Sequence, residues 1–268
     1  MNWWTNLSIS LKSTVSIANI EFTYYGMLVS LGLLLGTLVA VNRAKLYDLK
    51  RDHVDSAILW AFIPAIIGAR AYHVIDNLPY FLLRPFDIVA VWKGGMAIYG
   101  ALIGGIAGIL YASHKQQIKL LPLLDLLAPS VALAQAIGRW GNFFNMEGYG
   151  PPTNLPWKIY ISPARRIAPY FEANYFHPLF LYESILDLLI FILLILFSRR
   201  KLANGYITGG YLILYGISRF IIEFGRLDTG VLFGIKVAHI FSITAILVGL
   251  ILIFNRQLRR LLLKSSSN

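Results

Sequence analysis

Between Gly138 and Gly150 the chain reads Gly-Arg-Trp-Gly-Asn-Phe-Phe-Asn-Met-Glu-Gly-Tyr-Gly, at the end of a long apolar run. It sets Arg139, Asn142, Asn145 and Glu147 among aromatics and glycines. Arginine and the amides donate hydrogen bonds, while the glutamate accepts them and can balance the arginine's charge. The glycines let the backbone turn tightly and approach a ligand. Aromatics and an arginine at a membrane boundary often only anchor a helix. Two amides and a carboxylate in the same short stretch exceed what anchoring needs. A second set, Tyr215, Arg219 and Glu223, repeats every four residues, and Arg226 continues it by three, so all four share a helix face. Such a stripe either pairs within itself or lines a cavity.

Other polar residues interrupt apolar segments. Arg70 and His73 are three apart, and Glu183 and Asp187 four apart, on one face each. Carboxylates inside a membrane need partners, and the arginines are the candidates. Together these charges predict a polar chamber at the outer ends of several helices. The flat guanidinium fork matches phosphate oxygens two at a time. Arginines reachable from lipid and walled by aromatics point to a phospholipid ligand.

The elements that must position these groups are membrane helices. Of 268 residues, 57% are hydrophobic and 14% charged, against about 25% for a soluble domain. A soluble core of this size cannot bury that excess, which makes the chain an all-α integral membrane protein. A spanning helix needs about 20 apolar residues. Seven runs qualify, at about 20–42, 55–76, 94–112, 120–138, 178–198, 206–224 and 236–254. The fourth is the most interrupted, by Pro122, Asp125 and Pro129. The chain reads as a single polytopic domain with an irregular outward-facing region at about 139–177, kept irregular by prolines.

Lysine and arginine cluster at 43–51, 115–119, 199–201 and 256–264, which puts the C-terminus in the cytoplasm and the N-terminus outside. The net charge of +11 fits that orientation and anionic lipid better than nucleic acid. There is no cysteine, so any thiol chemistry uses a thiol brought by another molecule. The N-terminus lacks a signal-peptide layout, and Trp3 and Trp4 suit a segment on the membrane surface. Residues 265–268 read as a loose tail. Tyr25 fits an interfacial tyrosine. Pro64 predicts a kink. Gly100, Gly104 and Gly108 form a stripe for close helix packing, with Tyr99 beside it. For Arg165 and Arg166, contact with anionic headgroups and simple solvation both stand.

The 138–150 stretch resembles the signature of the prolipoprotein diacylglyceryl transferases, roughly Gly-Arg-x-Gly-Asn-Phe-x-Asn-x-Glu-x-x-Gly, and matches all eight fixed positions. Similar segments recur along the chain: Tyr25-Gly26, Gly68-Ala69-Arg70, His177-Pro178 with Tyr182-Glu183, and Tyr215 with Arg219, Glu223 and Arg226. The resemblance implies a seven-span enzyme of the bacterial cytoplasmic membrane. Its activity would be transfer of a diacylglyceryl group from phosphatidylglycerol to the lipobox cysteine of a preprolipoprotein signal peptide. That reaction forms a thioether, releases glycerol phosphate and is the first step of lipoprotein maturation. Membrane lipid is a partner, and no cofactor, metal or nucleic acid is implied. Arg139 and Arg219 would stabilise the leaving group, Asn142 and Asn145 orient the headgroup, and Glu147 and Glu223 orient the arginines. Gly150 would allow a close turn, Tyr25 would contact lipid, and Arg70, Tyr215 and Arg226 would join the lipid site.

Two positions depart from the family. Tyr99 stands where many relatives carry a histidine proposed as the base for the thiol proton. A neutral phenol is a poor base. Tyr99 then only hydrogen-bonds, or the arginines' field favours the thiolate; the second fits better. His239 stands where relatives commonly have glutamine. A transporter or flippase using the same chamber is the rival reading, although the paired repeats with broken helices of transporters are not evident.

Overall fold

The computed structural model describes residues 13–17, 20–200, 202–232 and 234–254. Trp3, Trp4, Lys12, Lys201 and the basic C-terminal tail lie outside them. A short antiparallel hairpin, β1 (Thr14–Ile17) and β2 (Ile20–Thr23), leads directly into helix α1 (Tyr24–Arg43). There follow α2 (Arg51–Asp76), the short α3 (Leu78–Leu83), α4 (Ile98–Lys115) and α5 (Leu120–Asn145). After a loop carrying the two-residue strands β3 (Ile159–Tyr160) and β4 (Tyr175–Phe176) come α6 (Leu179–Ser198) and α7 (Tyr206–Phe224). A hairpin of β5 (Val231–Leu232) and β6 (Ile235–Lys236) joins α7 to α8 (Val237–Phe254).

A helix runs through each of the seven expected segments, although 20–23 and 236 are strand and 94–97 are not helical. Among the described residues, six helices are long and apolar enough to cross a membrane: α1, α2, α5, α6, α7 and α8. The 18-residue α4, which carries four glycines and ends in His114 and Lys115, is not among them. The chain is a mainly helical, multi-pass membrane protein.

The described residues form two compact units. The second, within Ala40–Leu123, is built on α2 and α4. Its glycine stripe does what its spacing predicts: a β-carbon on Gly100, Gly104 or Gly108 would strike the carbonyl oxygens of Gly68, Pro64 or Trp60. The backbones therefore touch, the close packing that small residues permit where water drives nothing together.

The first unit holds the rest, from the N-terminal hairpin to Val39 and from Leu124 onward. Here α5 is one continuous helix, not an interrupted one. Pro122 lies in its first turn, where a missing N–H costs nothing. Asp125 is buried and works as a cap for another helix. It accepts bonds from Gly205 N–H (2.5 Å), Thr208 N–H (2.8 Å) and the Thr208 hydroxyl (2.6 Å), at the positive end of α7. The helix also runs on past residue 138 to Asn145, so the irregular region begins about seven residues later than its prolines and glycines suggest. That loop has its own core of Phe143, Tyr149, Ile159, Ile161, Phe176 and Phe180. Tyr149 is fully buried and donates to Arg165 O (2.6 Å); burial, and then the Asp228 charge, push its phenol above the ordinary range.

Candidate active site

Because α5 continues through the signature, Arg139, Asn142 and Asn145 recur every three residues over its last two turns and face one way. The helix ends in a Schellman turn: Met146 N–H donates to Phe143 O (3.2 Å) and Glu147 N–H to Asn142 O (3.0 Å). Met146 takes the left-handed conformation (φ 52°), where glycine is usual, and Gly148 follows at φ 65°. This reversal swings Glu147 back under the helix end. Its Oε1 accepts from both Asn142 Nδ2 (3.0 Å) and Asn145 Nδ2 (3.1 Å). The expectation that Glu147 orients an arginine is therefore corrected, since its hydrogen bonds come from the two signature amides.

The arginines converge on another carboxylate. Glu183, one turn into α6, takes Arg139 Nε on Oε2 (2.8 Å) and both Arg219 Nη1 and Arg226 Nη1 on Oε1, the latter at 3.4 Å. Asp187, a turn further, lies 3.8 Å from Arg139 Nε. Arg219 Nη2 pairs with Glu223 Oε2 at 2.6 Å, four residues further along the same helix. A hydrogen bond from Trp140 Nε1 to Ser184 Oγ (3.1 Å), which itself donates to Ala136 O (2.7 Å), locks α5 to α6 beside the Arg139–Glu183 pair.

Glu183 is 5% exposed and Glu223 0%, whereas Arg139, Arg219 and Arg226 are 19%, 16% and 14% exposed. The anions are thus sealed behind the cations. Of the three arginines, Arg139 is the most exposed. Burial opposes the charge on Arg226, but Glu183 and Asp228 outweigh it and hold its pKa above the ordinary value. Removing water strengthens each of these attractions and makes an unpaired charge costly.

The other expected residues are placed as follows. The Tyr25 ring packs on Gly141, where a side chain would collide with both ring and backbone. Gly150 is buried and donates to His177 O (2.9 Å). It serves a close approach to His177 and Leu179, not a turn, and its φ is not left-handed. Tyr215 stacks on Tyr211 (5.7 Å, 16°), whose hydroxyl donates to Gln135. Arg70 and Tyr99 belong to the second unit. Arg70 is buried there and donates to the carbonyl oxygens of Asp87, Ile88 (2.8 Å), Gly94 (2.6 Å) and Gly95 (3.0 Å), with Phe81 under its guanidinium. With that many donors committed, Arg70 organises its own loop. The reading of it as a lipid-binding group gains nothing from this geometry. Tyr99 lies against Tyr72, ring centres 6.0 Å apart.

Comparison with known proteins matches residues 12–255 to the model of the prolipoprotein diacylglyceryl transferase family. The chain belongs to that family. Similar proteins, each called phosphatidylglycerol–prolipoprotein diacylglyceryl transferase, come from Finegoldia magna, Thermotoga maritima and Fervidobacterium nodosum. The first is 43% identical, over 88% of this chain and 92% of the relative. The others are 41% and 40% identical, over 87% of this chain and 80% of each relative.

In this diacylglyceryl transferase family member, three site residues escaped assignment from the sequence. Glu183 and Asp187 were visible as an i,i+4 pair needing cations, but nothing in their spacing says that Glu183 serves three arginines. Asp228 gave no signal beyond standing two residues after Arg226, whose Nε it accepts at 2.7 Å. His239 lies against Phe220 and Phe224, ring centres 4.6 and 4.8 Å apart.

Proposed function

We propose that this chain transfers the diacylglyceryl group of phosphatidylglycerol to the lipobox cysteine thiol of a preprolipoprotein, as seven spans of the bacterial cytoplasmic membrane. The N-terminus and the 146–177 loop face outward and the C-terminus faces the cytoplasm. The family supports the reaction class. The observation that carries the site is that Glu183 gathers Arg139, Arg219 and Arg226 on one carboxylate.

The donor's phosphodiester monoanion is the group such a cluster suits, since guanidinium forks bind phosphate oxygens bidentately. The thiolate sulfur attacks the glycerol carbon next to the phosphate. An S–C bond forms, the C–O bond breaks, and glycerol phosphate departs with the electron pair. A thiol and a phosphodiester become a thioether and a phosphate monoester, with one proton released. Negative charge grows on the departing oxygen, and Arg139 and Arg219 stabilise it, a strong effect in a dry site. Asn142 and Asn145, fixed by Glu147, orient the headgroup, while Tyr25, Tyr215 and Arg226 line the lipid site. The arginines' field, not Tyr99, favours the thiolate over the thiol.

Incubating the purified protein with phosphatidylglycerol and a lipobox peptide tests this. The expected result is a mass gain of one diacylglyceryl group on the peptide cysteine. A folded preparation that leaves the peptide unchanged overturns the reading.

A further inference from the structure

Asp228 lies in the loop between α7 and β5 and bonds to the signature loop 80 residues earlier in the sequence. Its Oδ1 accepts from Arg226 Nε at 2.7 Å, and its Oδ2 accepts from Gly148 N–H at 2.8 Å. One carboxylate therefore ties a guanidinium to the backbone of the signature loop. The two groups it joins are in contact: a β-carbon on Gly148 would come within 3.3 Å of Arg226 Nη2. Gly148 is left-handed, so its N–H is aimed by a conformation that other residues rarely adopt.

The other side-chain hydrogen bonds of this loop end on α7 or within the loop itself, while Leu227 packs against the Phe143–Tyr149 core. Thr229 Oγ1 donates to Glu223 Oε1, and Lys236 Nζ donates to Glu223 O (2.6 Å) and Arg226 O (3.0 Å). Those bonds fasten the loop to its own helix. Asp228 adds the bond across to the signature loop. It leaves the second amino group of Arg226 uncommitted among the described residues.

We infer that Asp228 is a positioning residue: it sets Arg226 against the loop after Asn145 and so fixes the affinity of the site for its phosphodiester lipid. The inference rests on the transferase reading above. Asp228 itself meets no lipid; it acts through the direction of the Arg226 fork. Bidentate recognition depends on that direction more than on charge.

A double-mutant cycle on the detergent-solubilised full-length protein tests it: Asp228→Asn, Arg226→Lys, and both together. The readouts are the Kd for phosphatidylglycerol in mixed micelles, the KM and kcat for transfer to a lipobox peptide, and the melting temperature. Asp228→Asn keeps the shape, but its one carbonyl oxygen replaces the two carboxylate acceptors. Kd and KM for phosphatidylglycerol are expected to rise about tenfold, the scale of one charge-assisted hydrogen bond, with kcat held within about threefold. The melting temperature stays unchanged. On the Arg226→Lys background, which lacks the Nε–H, the same substitution changes Kd by less than about twofold. If Asp228→Asn fails to fold, Asp228→Glu carries the same cycle. Additive effects, wild-type binding by the variant, or a loss confined to the melting temperature overturn the inference. An unsubstituted protein that transfers no lipid overturns the transferase reading, a result distinct from a working enzyme whose Kd ignores Asp228.

Discussion

Arg70 on one side, and Arg139, Arg219 and Arg226 on the other, are the same chemical group buried in an apolar protein, yet they are neutralised in opposite ways. Arg70 donates to four backbone carbonyls of residues 87–95. Those acceptors belong to the chain and leave the arginine little to offer a ligand. The other three lean on carboxylates through a minority of their N–H groups, with Glu183 common to all. A carboxylate clamp cancels charge, fixes direction and still leaves donors over. Counting donors, not charges, separates an arginine that builds structure from one that can bind an anion.

The largest effect should come from the clamped arginines. Arg139→Ala and Arg219→Ala are each expected to lower transfer by about 10²–10³-fold or more while the protein still inserts, as loss of an oxyanion-stabilising donor does. Peptide mass spectrometry on purified variants checks this, and normal transfer by either would sink the leaving-group role. Next comes the clamp. Glu183→Gln leaves three buried cations short of an anion, so stability should fall by about 3–5 kcal/mol, read by thermal or denaturant unfolding in detergent. Arg70→Lys sharpens the contrast. One ammonium cannot reach four carbonyls, and each left bare costs about 1–3 kcal/mol, so unfolding should shift while transfer per folded molecule falls less than about tenfold. An Arg70→Lys protein as stable as wild type but inactive would reverse the assignment. Tyr99→Phe is expected to keep measurable turnover, and a folded but dead variant would make Tyr99 a proton carrier. The smallest effect belongs to Glu147→Gln, whose carbonyl can still accept from Asn142 and Asn145. Loss of the charge alone should cost about 3–10-fold in KM for phosphatidylglycerol, measured by titrating lipid at fixed peptide.

Much of this was legible wherever the partners are close in sequence. The Arg219–Glu223 pair follows from a spacing of four, and the close-packing face of α4 from glycines four apart, though not that α2 is the helix it meets. Asp125 was legible only as an oddity. Its partners, Gly205 and Thr208, lie 80 and 83 residues away, so a residue that looked like a break in a helix proves to cap a different one. Glu147 shows that short separation alone is not enough. Its partners are two and five residues back, but their meeting depends on left-handed Met146, which no composition rule would place there.

From its letters alone the protein is a membrane-embedded bundle with a phosphate-seeking signature, because apolar length, glycine spacing and helical stripes are local properties that burial and periodicity enforce anywhere. Which anion holds which cation was left to tertiary structure. Glu183 reaches Arg139, Arg219 and Arg226 across 36 to 44 residues of chain. At that separation, pairing is decided by where the helix ends meet and how much water they exclude, quantities that exist only once the chain has folded.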